Sequence, residues 1–326
     1  MSLQQAHAPT PGVNSSTCSL RTFSLYDCPC STHQCWQRGI LCTASRYCGG
    51  KHTGASAMPA GPREEFSIVT MLLTRSSATR GPLGCRAVDC YERQLSLQIR
   101  LLRSLTAVNT TMPIHTLVDA ALPAVATLLE SFGTKLLPLP DCLPRPKWAS
   151  DYHAPSFGKL RLLKLYQFKK LLFLDNDVVV KKNMDDLLLR GPAPALVWQT
   201  LASGLNSGVM LLQPDRDLAE QVDHLLAAPR NRTRDGGDQE LWELAWRGRT
   251  VYELPLKFNA RLYIPIAERK WGPKVVAFHS VDREWQGPSP MRDTIHKAVE
   301  LDSTLISAAT RKAGGKKCPG GRQRGR

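Results

Sequence analysis

Two carboxylates separated by one residue, Asp175 and Asp177, are the residues of this chain best suited to chemistry. They follow residues 170–174, a mostly apolar run that predicts a buried strand. In an extended strand two such side chains share one face but lie about 6.6 Å apart, so both reach one ion more readily where the strand ends and turns. Carboxylate oxygens suit Mn²⁺ or Mg²⁺, and such an ion can bridge to a diphosphate. The pair predicts a metal site, with a solvated turn as the structural alternative.

Three further motifs place polar residues beside predicted strand and helix ends. They are Asn206-Ser207-Gly208 before an apolar run, Asp235-Gly236-Gly237-Asp238-Gln239 before a helix, and His279 at the end of a strand. Each has a structural interpretation when taken singly, namely a turn, an N-cap aspartate and a strand-end histidine. Their order behind the two carboxylates favours a common site instead.

A phosphorylated aspartate is the rival chemistry for two carboxylates spaced in this way after a strand. The phosphatase-like fold that uses it expects Gly-Thr or a similar pair just after the second aspartate. Here the residues 178–180 are all valine, so the sequence disfavours that chemistry.

Strands and helices are predicted to alternate around these motifs. The predicted strands are 66–74, 114–118, 170–175, 195–199, 208–213, 251–254 and 275–279, and the predicted helices are 90–105, 120–132, 157–168, 218–227 and 239–246. This order indicates an α/β domain, with a mixed, mostly parallel sheet covered by helices on both faces. Such sheets bind ligands at the carboxyl ends of their strands, where Asp175 and Asp177 are expected to lie.

Three regions are predicted along the chain. Residues 1–63 form a poorly ordered, Cys-rich extension, residues 64–300 the catalytic domain, and residues 301–326 a basic tail. Six of the ten cysteines lie between Cys18 and Cys48 without paired Cys-x-x-Cys spacing. A zinc knot, a disulfide knot and an unstructured leader therefore all remain open for the extension.

Most of the net charge of +15 lies at the two ends of the chain. Residues 311–326 carry seven Lys or Arg and no acid, and residues 1–63 carry five against Asp27 alone, which leaves +4 for residues 64–310. Nucleic acid is therefore not an expected partner, although a basic nucleic-acid-binding protein remains an alternative.

No transmembrane segment is predicted, because no window approaches the roughly 18 apolar residues that span a bilayer. The N-terminus also lacks the basic start and apolar stretch of a secretory signal, so we expect a soluble cytoplasmic protein. Residues 1–62 are acid-poor and rich in Ser, Thr, Ala and Arg, which makes import into a plastid or another organelle the alternative.

Together, the motifs resemble those of glycosyltransferase family 8, the glycogenin-like and galactosyltransferase-like retaining enzymes. The resemblance covers about residues 66–290 and is carried by the segments 157–162, 173–187, 205–212, 235–241 and 254–259. It implies a single Rossmann-like nucleotide-diphospho-sugar transferase domain of the GT-A type. The implied reaction moves a hexose, glucose or galactose, from a UDP-sugar to a hydroxyl of a carbohydrate or protein acceptor. Retention of configuration, Mn²⁺ or Mg²⁺, and a possible homodimer are implied as well.

The resemblance also implies roles for the matching residues. Asp175, Asp177 and His279 correspond to the metal ligands, with Asp175 also meeting the nucleotide ribose. Asp238 and Gln239 correspond to the catalytic positions that flank the anomeric carbon.

The remaining matches concern the donor and its surroundings. Asn206 and Asp235 correspond to residues that hold the hydroxyls of the donor sugar. Lys159 corresponds to a basic residue that organises the acidic pocket. Asn259 corresponds to a residue near the acceptor side.

The segment after His279 departs from the family pattern. There the family has a glycine and then Lys-Pro-Trp, whose lysine contacts the donor diphosphate, whereas this chain continues Ser-Val-Asp-Arg283-Glu-Trp285. Arg283 is the cation that could take this place, since a guanidinium suits phosphate oxygens. A degenerate protein that binds a sugar nucleotide without turnover is therefore a further alternative.

Overall fold

The structure is a computed structural model, and it describes only part of the 326-residue chain. The described residues are 65–74, 87–139, 148–149, 153–200, 204–227, 237–247, 249, 251–261, 275–279 and 291–315. The predicted extension over 1–63 lies outside them, as do two predicted site residues, Asp235 and Arg283. Within the described residues, no helix is both long and apolar enough to cross a membrane.

In the described residues, ten strands form a large and a small sheet. The strands are β1 Phe66–Leu72, β2 Ile114–Val118, β3 Thr134–Pro138, β4 Lys170–Leu174, β5 Val179–Val180, β6 Ala195–Thr200, β7 Gly204–Leu212, β8 Tyr252–Glu253, β9 Ala260–Arg261 and β10 Ala277–His279. The large sheet has seven strands in the order β3-β2-β1-β4-β7-β6-β8, and the small sheet has the order β5-β10-β9.

The helices include seven α-helices in the described residues. They are α1 Ala87–Ala107, α2 Pro123–Glu130, α3 Asp185–Arg190, α4 Arg216–Ala227, α5 Gln239–Ala245, α6 Arg292–Leu301 and α7 Ser303–Gly315, and two 3-10 helices cover Ala154–Lys164 and Leu256–Phe258. Both faces of the large sheet are covered, because successive residues of β4 pack into different apolar clusters. Leu172 and Leu174 share one cluster with α1, whereas Phe173 shares the other with α4 and α5. The predicted mixed α/β architecture is thus confirmed.

Strand β7 is the antiparallel element that brings two predicted motifs together. It pairs antiparallel with β4 and with β6, while the other pairs of the large sheet are parallel. Leu174, the last residue of β4, pairs with Val209. Because the two strands run in opposite directions, the early residues of β7, including Asn206 and Gly208, lie beside the carboxyl end of β4.

The first half of β7 escaped the sequence prediction, which placed this strand over 208–213. The strand begins at Gly204 and includes the polar residues Asn206 and Ser207, both buried. A strand prediction depends on an apolar pattern, and these two polar residues interrupt it. Polar residues can be buried only when they have hydrogen-bond partners, which the sequence does not show.

Two helices also differ from their predictions. The helix predicted over 120–132 begins at Pro123, whose fixed φ suits the first turn and whose missing N–H is not needed there. The helix predicted over 157–168 is a 3-10 helix over Ala154–Lys164. Both elements keep their predicted place in the order of the fold.

The described chain continues as helix beyond residue 300, where the basic tail was predicted to begin. Ile306 of α7 is fully buried in the cluster that contains α1. Asp302, between α6 and α7, accepts a hydrogen bond from Val125 N at 2.9 Å. Val125 lies in the first turn of α2, and Leu122, the residue at the N-cap of that helix, offers no side-chain cap. A residue far along the chain therefore caps α2.

We expect Asp302→Ala to lower the free energy of unfolding by about 1–2 kcal/mol, the usual cost of losing a helix cap. Urea unfolding followed by circular dichroism measures this change. Asp302→Asn retains an acceptor oxygen and should lose less. An unchanged midpoint for Asp302→Ala would show that the contact does not stabilise α2.

Candidate metal centre

Three side chains from two distant parts of the chain converge beyond the carboxyl end of β4. Asp175, Asp177 and His279 each offer one ligand atom, and these atoms lie within 4.8 Å of one another. Nε2 of His279 lies 3.2 Å from Oδ1 of Asp177 and 3.6 Å from Oδ2 of Asp175. Ligands about 2.1 Å from one octahedral ion lie roughly 3 Å apart, so the three groups fit a shared divalent cation.

A turn after β4 presents both carboxylates to the same side. The N–H of Asp175 continues the pairing with β7 by donating to Gly208 O at 2.8 Å, and the N–H of Val178 then donates back to Asp175 O at 3.1 Å. Strand β5 follows immediately, and β10 pairs antiparallel with it, with Phe278 opposite Val179. This pairing returns the chain to the turn and sets His279 beside the carboxylates.

Helix α1 holds the same turn from its other side. Asn176, between the two carboxylates, donates from Nδ2 to Oε1 of Gln94 at 2.7 Å. The N–H of Val180 donates to Oγ of Ser104 at 3.0 Å. These bonds fix the backbone on which the two carboxylates sit, and Gln94 and Ser104 carry no sequence signal that would have revealed this role.

A chain of hydrogen bonds assigns the tautomer of His279. The N–H of Gly208 donates at 3.0 Å, so the atom of Asn206 that it meets is the oxygen Oδ1. The same Oδ1 accepts from Nδ2 of Asn259 at 2.7 Å, which turns Oδ1 of Asn259 toward Nδ1 of His279 at 2.8 Å. Nδ1 therefore carries a hydrogen, and Nε2 is the ring nitrogen that is directed at the two carboxylates.

This arrangement is one that metal-binding histidines adopt. The nitrogen that does not meet the ion donates to an oxygen acceptor, which fixes both the ring and its tautomer. Nε2 is then the atom that an ion lying between the two carboxylates would meet. The donor set of two carboxylates and one imidazole thus fits a divalent ion such as Mn²⁺ or Mg²⁺.

Gly208 lies in van der Waals contact with the imidazole of His279. A Cβ atom at this position would lie 2.5 Å from Nδ1 and 2.7 Å from Nε2, closer than any side chain tolerates. Glycine permits this close approach because it has no Cβ, and the group that approaches it is the ring of His279.

A buried lysine completes the cluster. Nζ of Lys159, on the 3-10 helix, lies 2.7 Å from Oδ2 of Asp175 and 3.2 Å from Oγ of Ser207. Burial alone would lower the pKa of the Lys159 ammonium, but the surrounding carboxylates, Asp175 first among them, raise it above its usual value. The ammonium therefore stays charged despite its burial.

The carboxylates nevertheless outnumber this one ammonium. Burial raises the pKa of the Asp175 carboxyl above its usual value, although the Lys159 ammonium opposes the effect. Asp177 and Asp238 are further carboxylates close enough to act on the Lys159 ammonium. Excess negative charge in a partly buried pocket is stabilised by an additional cation, which agrees with the geometry of the ligands.

Asp238 is buried at the start of α5 and does not act as a helix cap. Its side chain makes no capping bond, and Oδ2 instead accepts from Nε1 of Trp242 at 3.1 Å. Gln239 follows as the first residue of α5 and is half-buried. Sequence reasoning missed Trp242, although the spacing of four residues on a helix places it on the same face as Asp238.

Most of the predicted site residues that the structure describes are joined by direct contacts. Lys159 contacts both Asp175 and Ser207, while Asn206 and Asn259 stand behind His279. Asn259, expected near the acceptor side, has its amide engaged with His279 and Asn206. Asp235 and Arg283 lie outside the described residues, so their predicted roles stay predictions.

Fold and site define a mixed α/β protein with a carboxylate and histidine cluster, able to hold a metal ion, at the carboxyl end of a central strand.

Among curated proteins, the chain is similar to glycogenins. It is 31% identical to glycogenin of Neurospora crassa over 134 residues, which is 40% of this chain and 18% of that protein. It is 33% identical to glycogenin-1 of Mus musculus over 105 residues, which is 31% of each chain.

A longer match is to glycogenin-1 of Caenorhabditis elegans, 26% identical over 223 residues, 60% of this chain and 49% of that protein. The chain thus spans less than half of the length of each of these three relatives. No protein-family model matches it. The matches confirm that the sequence is glycogenin-like, as its motifs predict.

Solved structures of glycosyltransferases have a similar arrangement. The glycosyltransferase GlyE of Streptococcus pneumoniae TIGR4 is 17% identical with a TM-score of 0.48, covering 74% of this chain and 61% of that one. The galactosyltransferase LgtC, solved in complex with donor and acceptor sugar analogs, is 16% identical with a TM-score of 0.43, covering 73% of this chain and 95% of that one. Likeness of this degree does not assign a function.

Proposed function

We propose that this protein is a retaining glycosyltransferase that moves a hexose, glucose or galactose, from a UDP-sugar to an acceptor hydroxyl in a Mn²⁺-dependent reaction. The observation that supports it most is the convergence of Asp175, Asp177 and Nε2 of His279 in one cluster. The similarity to glycogenins, over parts of the chain, points to the same chemistry.

The three ligands would hold the ion beside the donor diphosphate. When bound, the ion supplies positive charge that stabilises the negative charge developing on the leaving diphosphate. Asn259 holds Nδ1–H of His279 and thereby keeps Nε2 directed at Asp175 and Asp177. Asp175 is also proposed to meet the nucleotide ribose.

Lys159 orients the carboxylate of Asp175 and favours its ionised form. Its ammonium is fixed by Asp175 and Ser207 at the back of the pocket, so it is placed to act on the ligand and not on the substrate. A fixed ammonium costs no reorganisation when the metal arrives, which is the advantage of a preorganised site.

The donor sugar is proposed to lie against the start of α5. Asp238 would stabilise positive charge at the anomeric carbon, with Gln239 beside it, while Asn206 and Asp235 hold sugar hydroxyls. Arg283 would contact the diphosphate in place of the lysine of the family pattern. The acceptor hydroxyl, of a carbohydrate or a protein, would then approach the anomeric carbon on the same face from which the UDP leaving group departs.

UDP release from UDP-glucose and UDP-galactose tests this function. We expect purified protein to release UDP in the presence of Mn²⁺ and to stop when EDTA removes the metal. Calorimetry with UDP, with and without Mn²⁺, measures donor binding separately from turnover.

Two outcomes would contradict the proposal in different ways. Mn²⁺-dependent UDP binding without release from any common UDP-hexose would identify a sugar-nucleotide-binding protein without turnover. Failure of both binding and release would remove the nucleotide-sugar function altogether.

A further inference from the structure

The carboxylate of Asp238 is held by a side chain that nothing in the proposed chemistry uses. Asp238 is 3% exposed and Trp242 is fully buried, so the bond from Nε1 to Oδ2 lies away from competing water. Among the described residues, Oδ1 of Asp238 accepts no hydrogen bond. One oxygen is thus fixed inside the protein, and the other is left for the pocket.

The indole that holds Asp238 is itself rigidly placed. Trp242 stacks on Trp246, with ring centroids 4.9 Å apart and an interplanar angle of 26°. Helix α5 is anchored to the site strand because Oε1 of Glu243 accepts from the N–H of Leu205 on β7 at 3.1 Å. The helix that carries Trp242 is therefore tied to β7, the strand whose Gly208 lies against His279.

Asp238 also belongs electrostatically to the metal cluster. Its negative charge is one of those that act on the ammonium of Lys159, which in turn contacts Asp175. A carboxylate beside other carboxylates would turn away from them if its side chain were free. The bond from the indole N–H of Trp242 opposes this rotation.

We propose that Trp242 is a positioning residue, whose indole N–H holds the Asp238 carboxylate in the orientation that the transfer step needs. This inference rests on the proposed function, in which Asp238 faces the anomeric carbon. Trp242 would touch neither donor nor metal. Its effect would therefore appear in the transfer step and not in the binding of UDP or of the ion.

The neighbouring Trp246 provides a matched control. Both rings are fully buried and stack on each other, Trp242 within α5 and Trp246 directly after its last residue, but Nε1 of Trp246 has no hydrogen-bond partner in the described part of the chain. Trp242→Phe and Trp246→Phe therefore remove similar apolar volume, and only the first removes the bond to Asp238.

We expect Trp242→Phe to lower kcat for UDP release about 10–100-fold, since a misplaced catalytic group costs this much. The KM for the donor and the Mn²⁺-dependent affinity for UDP should stay within about threefold of the wild type. Trp246→Phe should change kcat by less than about threefold. Equal losses in both variants, or a loss confined to KM, would overturn the assignment.

A spectroscopic measurement reports the contact without depending on activity or on the stability of a Trp242 variant. The chain has seven tryptophans, so a ¹⁵N spectrum resolves a small set of indole N–H signals. We expect the Trp242 signal to move in Asp238→Asn while the Trp246 signal stays in place. A Trp242 signal that moves no more than that of Trp246 would overturn the inference. A wild type without turnover would instead contradict the proposed function, so the two failures are distinguishable.

Discussion

Asp177→Ala is expected to lower the rate of Mn²⁺-dependent UDP release by about 10³-fold or more. Asp177 is the ligand closest to Nε2 of His279, at 3.2 Å, and its loss leaves one carboxylate and one imidazole to hold the ion. Stabilisation of a leaving group by a correctly placed charge accounts for rate factors of this size. Rates of UDP release at saturating donor and Mn²⁺ measure the effect.

The control for this variant is Asp186→Ala. Asp186 is an exposed acid on α3 that pairs with Arg190 on the surface, so its removal changes the charge of the protein without touching the site. Melting temperatures without metal separate loss of a ligand from loss of the fold. Retention of more than about a tenth of the wild-type rate by Asp177→Ala would exclude Asp177 as a metal ligand.

Gly208→Ala is expected to weaken Mn²⁺ binding about 10–100-fold and to lower activity accordingly, as the loss of a supporting contact behind a metal ligand does. The new Cβ would overlap the buried imidazole of His279, which must then leave its bond with Asn259. Movement of the ring directs Nε2 away from the carboxylates. Calorimetric titration with Mn²⁺ measures the affinity, and higher concentrations of Mn²⁺ should restore part of the activity.

Val209→Ala is the matched control on the same strand. Val209 is fully buried in the cluster shared with α1, so its truncation costs about 1–2 kcal/mol of stability by loss of packing. Its Mn²⁺ affinity should equal that of the wild type. If Gly208→Ala binds Mn²⁺ as tightly as Val209→Ala does, the contact between Gly208 and His279 has no part in metal binding.

Local patterns in the sequence were sufficient for most of the elements. The apolar run before Asp175 predicted β4, and the alternation of strands and helices predicted a mixed sheet with helices on both faces. These features follow from hydrophobic periodicity, which depends on neighbouring residues alone. The same reasoning placed Asp175 and Asp177 at a strand end, where β4 indeed stops at Leu174.

For polar residues that are buried, the sequence could not predict the hydrogen-bond partners. Asn206 and Ser207 interrupt an apolar pattern, and their place inside β7 depends on partners about 50 residues away, Asn259 and Lys159. An aspartate at the start of a helix is most often an N-cap, and the sequence offered this interpretation for Asp238. Its carboxylate instead accepts a hydrogen bond from the indole of Trp242. Several side chains could be the hydrogen-bond partner of each buried polar atom, and the tertiary packing decides which of them lies close enough.

By itself, the sequence determined the order of the elements, the strand-end carboxylates and the likeness to glycogenins. Tertiary structure decided that His279 meets Asp175 and Asp177, because the antiparallel pairing of β10 with β5 folds the chain back onto the turn. It also decided that Nε2 is the nitrogen of His279 directed at the carboxylates, because that depends on a hydrogen-bond chain from β7 through Asn259 to β10. Local propensity is encoded in adjacent residues, whereas a ligand set exists only once distant segments are packed together.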